Sequence, residues 1–347
     1  MNYKSIFNLL GILLGIFSLS FVPPIVLAFV YEESNKEIFL YSFIFFAVLG
    51  AFIWATTRQE HLPLNISDGF IITTLFWVVL ACAGSIPFYF FGLNISDAIF
   101  ESVSGITTTG ATTIVGLDSL PKSILLYRQL LQWIGGMGLI VLAVAVMPAL
   151  GIGGGQLYKM ELPGSHGNQK LTPKITDSAK ALWKIYVGLT LMCAILYLLS
   201  GMNLFDSIAH SLTTVAGGGF STHDESIGFF NSTSVEAVCI IFMLLSAASF
   251  AVHYAAIFGG KPLKYFYDSE FKFFLSVVLL IIIVSLIVHI ISSSFSDVFS
   301  LFSSTIFHVV SIVTTSGFTT ENFSLWPGFL PYLLLVGAFM GACSQSV

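Results

Sequence analysis

T-T-T-G-A-T-T at residues 107–113, A-G-G-G-F-S-T at 216–222 and T-T-S-G-F-T-T at 314–320 are three versions of one short loop. Superimposed, they bring Gly110, Gly219 and Gly317 into register. Asp97, Asp206 and Ser304 each stand 13 residues ahead of those glycines and open D-A-I-F-E, D-S-I-A-H and S-T-I-F-H. Asp and Ser are favoured N-caps, so each is expected to start a short helix of about 10 residues, ~15 Å long at the α-helical rise. That is half the depth of a bilayer's hydrocarbon. Such a helix enters the membrane, stops near the midplane and returns as extended chain. Non-helical backbone at that depth is tolerated only where it is buried in protein or lines water. Three such loops imply an aqueous path.

The rest of the chain is built for lipid. Of 347 residues, 56% are hydrophobic and 9% charged, where a soluble domain carries roughly 25% charged residues; mean hydropathy is +0.92. Apolar runs at 6–30, 38–55, 70–91, 124–150, 181–200, 235–258, 271–291 and 329–340 are the candidate spans. The first is too long, and too poor in small residues at its end, for a cleavable signal, and Pro23-Pro24 is expected to bend or split it. Placing the N-terminus inside puts 10 of the 13 Lys and Arg in the cytoplasm, as the positive-inside rule requires. Lys36, Lys122 and Arg128 are left outside with Glu32, Glu33, Glu37, Asp118, Asp224, Glu225 and Glu321, an acidic face that concentrates cations near a pore mouth. Cys82, Cys193, Cys239 and Cys343 lack metal-ligand spacing and read as small apolar residues.

The loop chemistry suits a monovalent cation. A cation entering a narrow pore exchanges hydration for oxygen ligands. Backbone carbonyls supply them, Thr and Ser hydroxyls add to them, and glycine lets successive carbonyls turn to one axis. The short helices aim the negative ends of their dipoles at the path. No carboxylate lies within the loops. Glu101, His210 and His308 share one position nine residues before the glycines and are expected to support the loops by hydrogen bonds. His253 and His289 show no sequence partner and read as core. A metal site at His223-Asp224-Glu225 is weakly indicated, and G-I-G-G-G at 151–155 lacks the Lys-Ser/Thr of a phosphate loop. A membrane enzyme would need acid, base or metal groups converging at one depth; the histidines are scattered, so no catalytic residue is assigned. No nucleic-acid partner is expected.

S-G-I-T-T-T-G-A-T at 104–112, Q-W-I-G-G-M-G at 132–138, G-G-F-S-T-H-D at 218–224 and T-T-S-G-F-T-T with F-S-L-W-P at 323–327 resemble the Trk/Ktr/HKT superfamily of potassium transporters, in particular its bacterial Trk branch, over essentially the whole chain. The resemblance implies an all-α integral membrane protein in which helix–pore-loop–helix units surround a pseudo-fourfold cation pathway. It divides the chain into an N-terminal helix pair (1–57), a first pore repeat (69–150), a cytoplasmic linker (151–180), a second repeat (181–260) and a third (271–347) that is incomplete, with the fourth absent. It implies potassium transport across the cytoplasmic membrane through a filter at Thr108, Thr109, Gly110, Gly218, Gly219, Phe220, Thr315, Ser316 and Gly317, where glycine marks potassium preference and serine in the first loop marks sodium. Ala216-Gly217-Gly218 departs from the hydroxyl-bearing runs of the other loops. Gly341, Ala342, Cys343 and Ser344 look like the start of the family's gating loop. No bound cofactor is implied; potassium is the transported ion. A cytosolic nucleotide-binding regulatory subunit and a homodimer are the implied partners. The alternatives are a non-conducting fragment or interaction subunit that needs a fourth repeat, and sodium or mixed cation transport.

Overall fold

The computed structural model describes residues 3–58, 66–136, 138, 175–292, 298–343 and 346. Among these the regular elements are helical. Five helices are long and apolar enough to cross a membrane, or six if one bent pair counts as a single span. The expected linker at 151–180, apart from its end, the second half of the run 124–150 and the gate residue Ser344 lie outside the described residues. The chain forms two compact units, Met1–Trp183 and Lys184–Val347.

In the first unit, α1 (Tyr3–Ser18) passes through a 3-10 turn at Leu19–Phe21 into α2 (Val22–Val30). Pro23 and Pro24 fall in the first turn of α2, where a missing N–H is tolerated. The expected bend is therefore a restart, and the whole still reads as one span, Tyr3–Val30. α3 (Lys36–Thr57), α4 (Ile66–Phe91), the short α5 (Ile95–Ile106) and α6 (Lys122–Gly136) complete the unit. Its core gathers Phe21, Phe39 and Phe88 around Tyr127, at ring-centroid distances of 5.6, 5.3 and 5.2 Å. The Tyr127 hydroxyl donates to the Gly84 carbonyl at 3.0 Å, so the phenol is satisfied inside an apolar cluster.

The second unit holds most of α7 (Ile175–Leu199), then the short α8 (Leu204–Val215), α9 (Thr233–Ser246), α10 (Phe250–Ile257), the one-turn α11 (Lys264–Tyr267), α12 (Ser269–Ile291), α13 (Val298–Val313) and α14 (Leu330–Met340). α13 packs on α9, α12 and α14. The run at 235–258 is not the continuous span the sequence suggested. α9 and α10 meet at 101°, because Ser249 takes an extended ψ of 144° and starts a new helix. In the first unit, the apolar window of α3 is only 22% buried; Phe45 and Phe52 stand 54% and 64% exposed. An apolar face of that length left bare fits lipid as its solvent.

α1 and α3 cross where neither can carry a side chain. A Cβ on Gly50 would lie 2.7 Å from the Gly15 nitrogen and 2.8 Å from the Gly11 carbonyl oxygen. Small residues at such crossings let backbones approach in membranes, where packing rather than water exclusion drives helix association. Gly50→Leu is expected to destabilise the fold by about 1–3 kcal/mol, read as a lower thermal unfolding midpoint in detergent, whereas Phe45→Leu on the bare face of the same helix leaves that midpoint unchanged.

Candidate functional site: three re-entrant loops

α5 and α8 begin alike. Asn94 and Asn203 hold extended backbone, ψ 161° and 165°, and their side-chain oxygens accept the N–H of Asp97 and Asp206, both at 2.9 Å. Each Asp carboxylate in turn accepts from the Asn side-chain amide. The N-caps are thus Asn94 and Asn203, not Asp97 and Asp206. The aspartates occupy the third helical position, where a carboxylate complements both the free amides and the dipole. The third short helix starts at Val298, so Ser304 lies inside α13 and caps nothing; its hydroxyl donates instead to Glu321.

All three helices end in the same backbone signature. Two residues before each register glycine the chain turns left-handed: Thr108 at φ 55°, Gly217 at 66° and Thr315 at 64°. The register glycines repeat the turn at φ 77°, 74° and 77°. In the first two loops the turn closes each helix, with the Thr109 N–H on the Ser104 carbonyl at 2.9 Å and the Gly218 N–H on the Thr213 carbonyl at 3.0 Å. In the third, the Gly317 N–H reaches the Ser311 carbonyl at 3.1 Å. Thr is strained in this conformation and Gly is not. The departure noted in the second loop therefore places glycine where the other two loops carry strained threonine.

Each return strand is tied to its own helix. Ser104 and Ser311, six residues before the glycines, donate to the carbonyls of Ala111 and Phe318 one residue after them, both at 2.6 Å. The position nine residues before each glycine supplies a second tie. His210 sits with Nδ1 3.0 Å from the Asp206 carbonyl and Nε2 3.0 Å from the Ser221 hydroxyl. His308 repeats it, with Nδ1 2.9 Å from the Ser304 carbonyl and Nε2 accepting from the Thr320 N–H at 3.3 Å. The Asp206 carbonyl assigns the proton of His210 to Nδ1; in His308 both nitrogens also face a carbonyl, Nδ1 that of Ser304 and Nε2 that of Glu321 at 3.2 Å. In the first loop Glu101 takes the role, accepting from the Thr112 hydroxyl at 2.9–3.0 Å.

Glu101 is held by Arg128, Nε to Oε1 2.6 Å, and both side chains are fully buried. Arg128 also reaches the Thr112 hydroxyl at 3.1 Å. It is therefore not one of the outer-face cations the sequence suggested, because a charged neighbour from α5 draws it inside. No sequence signal marked it; an arginine at the fifth position of the apolar run 124–150 could have raised the question. The capping asparagines did have a signal, Asn-x-x-Asp at 94–97 and 203–206.

The second and third loops, both in the Lys184–Val347 unit, meet directly. A Cβ on Gly219 would fall 1.7 Å from the Ser316 carbonyl oxygen. Beyond them, the Gly228 N–H donates to the Thr319 carbonyl at 3.1 Å. Glu225 and Glu321 line a cleft of about 520 Å³ with Thr319, Thr320, Asn322 and Phe323. The first loop, Thr108, Thr109 and Gly110 included, belongs to the other unit. His223 bonds Asp206 at 3.2 Å and stacks on Phe229. Among the described residues no cluster of His, Cys, Asp or Glu could hold a metal ion.

Lower in the second unit, α14 stops at Gly341, φ 64° and ψ −172°, a conformation reserved for glycine. Cys343 is buried, and its N–H donates to the Ala247 carbonyl at 3.0 Å. His253 is not merely core: its Nε2 meets the Leu245 carbonyl at 2.9 Å and its Nδ1 the Tyr265 hydroxyl at 2.6 Å. His289 lies edge-on to Trp326 at 4.8 Å. Cys193, Cys239 and Cys343 are buried as expected, but Cys82 is exposed.

The TrkH family, described as cation transport protein, matches residues 35–347. The Trk system potassium uptake protein TrkH of Vibrio parahaemolyticus serotype O3:K6 is 46% identical over 351 residues, covering 100% of this chain and 72% of that protein. The protein of the same name from Escherichia coli K12 is 44% identical over 349 residues with the same coverage, and E. coli TrkG, another Trk system potassium uptake protein, is 41% identical. The crystal structure of the potassium transporter TrkH from V. parahaemolyticus superimposes with a TM-score of 0.88 at 44% identity, over 100% of this chain and 72% of that one. The chain belongs to the TrkH family of cation transport proteins and is a multi-pass membrane protein.

Proposed function

We propose that this chain transports potassium across the cytoplasmic membrane, N-terminus inside, through a filter built from backbone carbonyls at Thr108, Thr109, Gly110, Gly218, Gly219, Phe220, Thr315, Ser316 and Gly317. The observation that carries the reading is the repeated backbone: two left-handed residues, two apart, in each of three loops that follow short helices. Such a twist turns successive carbonyls toward one side, the ligand set a dehydrated cation needs. The names of the relatives, potassium uptake proteins in each case, agree. Glu225 and Glu321 supply negative charge at the mouth. The gate is read at Gly341, Ala342, Cys343 and Ser344, where α14 breaks. The relatives' Trk system name fits a chain that works with other subunits; a cytosolic nucleotide-binding regulator on the basic inner face and a homodimer are the partners proposed.

The full-length protein is expected to restore growth of potassium-uptake-deficient cells in low potassium. Gly110→Ser then lowers the potassium-to-sodium uptake ratio; an unchanged ratio counts against the filter assignment. Thr108→Gly removes a strained residue worth ~1 kcal/mol and keeps the ratio, because Gly217 already serves the equivalent position. Glu101→Gln strands the Arg128 guanidinium in the interior, a cost of about 3–5 kcal/mol, and uptake is lost. The neutral double replacement, Glu101→Gln with Arg128→Leu, recovers much of the thermal stability in detergent.

A further inference from the structure

The helix that follows the second loop is broken where the helix that follows the third loop docks. The break spans Ala247 to Ser249, between α9 and α10. Its Ala247 carbonyl accepts the Cys343 N–H, three residues beyond the end of α14. The geometry of this break therefore decides where the chain after Gly341 starts.

What holds the break is a side-chain relay. Leu245, at the end of α9, exposes its carbonyl because the helix does not continue normally. The Ala248 N–H reaches it at 3.1 Å, and His253, from the first turn of α10, adds Nε2 at 2.9 Å. A carbonyl only accepts, so the proton is on Nε2 and Nδ1 is the acceptor for the Tyr265 hydroxyl at 2.6 Å. Burial raises the Tyr265 hydroxyl above its ordinary value, which keeps it the donor. The His253 ring is buried, 1% exposed, and lies edge-on to Tyr265 at 5.5 Å. Tyr265 belongs to α11, in the exposed connector that carries Lys261 and Lys264. One unbroken chain of contacts thus runs from the basic connector through Tyr265 and His253 to the break, and across it to Cys343.

We propose that His253 and Tyr265 are positioning residues for the gate: they hold the broken helix in the geometry that retains Cys343 on the Ala247 carbonyl, so that displacing the connector releases it. This rests on the reading of residues 341–344 as the gate. The relay suits a transporter regulated from the side on which the connector lies, because Lys261 and Lys264 beside Tyr265 are exposed.

The test uses the full-length protein in proteoliposomes, with two readouts: potassium flux, and the rate at which N-ethylmaleimide labels Cys343, followed by peptide mass spectrometry. Tyr265→Phe deletes one hydroxyl and keeps the ring; His253→Leu deletes both bonds; His253→Gln can donate to Leu245 and accept from Tyr265. Tyr265→Phe is expected to speed Cys343 labelling about fivefold, the ratio that one hydrogen bond of ~1 kcal/mol sustains, and His253→Leu more. Flux changes in parallel, the potassium-to-sodium ratio stays constant, and His253→Gln behaves as the parent. Unchanged labelling in both Tyr265→Phe and His253→Leu overturns the relay. Faster labelling with unchanged flux shows that the relay holds a segment that is not the gate, which overturns the gate reading and the proposal with it.

Discussion

Backbone polar groups inside a membrane must find partners, and this structure is arranged around the few places where helix hydrogen bonding stops. Each short helix ends in two left-handed residues, and among the described residues the extended segment that returns has no neighbouring strand to pair with. The helix it has just left supplies the partners instead. Ser104 and Ser311 hold the first carbonyl after the glycine, and Glu101, His210 and His308 hold the groups beyond it. A hydrogen bond in such surroundings is costly to lose because no water replaces it. The loops are thereby held from behind by the helices that lead into them.

The three ties use different chemistry for one task. Histidine with Nδ1 on a carbonyl one turn back needs nothing else, since the neutral ring is satisfied at both nitrogens. A carboxylate in the same place brings a charge, and the charge brings Arg128. Removing two ions from water is expensive, and each member of the pair is satisfied in part by the other and by Thr112. The first loop thus depends on a residue from α6, outside its own helix and strand, whereas the histidine ties of the second and third are made within the loop's own segment.

The loops, their glycine register and the short helices α5 and α8 were legible in the sequence because they depend on local composition at fixed spacing; α13 runs 16 residues, longer than the spacing suggested. The spans were legible because lipid demands about 20 apolar residues in a row. The capping residues were misassigned by three positions: Asp97 and Asp206 are good caps in isolation, and only the extended backbone of Asn94 and Asn203 shows which residue starts the helix. The break between α9 and α10 was missed because Ser246-Ala247-Ala248-Ser249 offers neither Pro nor Gly. It forms where other groups donate to the freed carbonyls, Cys343 to Ala247 and His253 to Leu245, and those groups lie up to 96 residues away in the chain.

Sequence alone therefore determined that the chain is a membrane protein, that it repeats a helix–loop unit, and that glycine recurs at one point in each loop. These are properties of residue type and spacing, and lipid or backbone sterics read them locally. Tertiary structure decided which polar residues meet: that Arg128 is buried against Glu101 and not solvated, that the Ser316 carbonyl rests on Gly219, and that His253 joins Tyr265 to a broken helix. Those pairings arise from segments far apart in sequence, where the energy of a buried polar group depends on the partner that the fold brings to it.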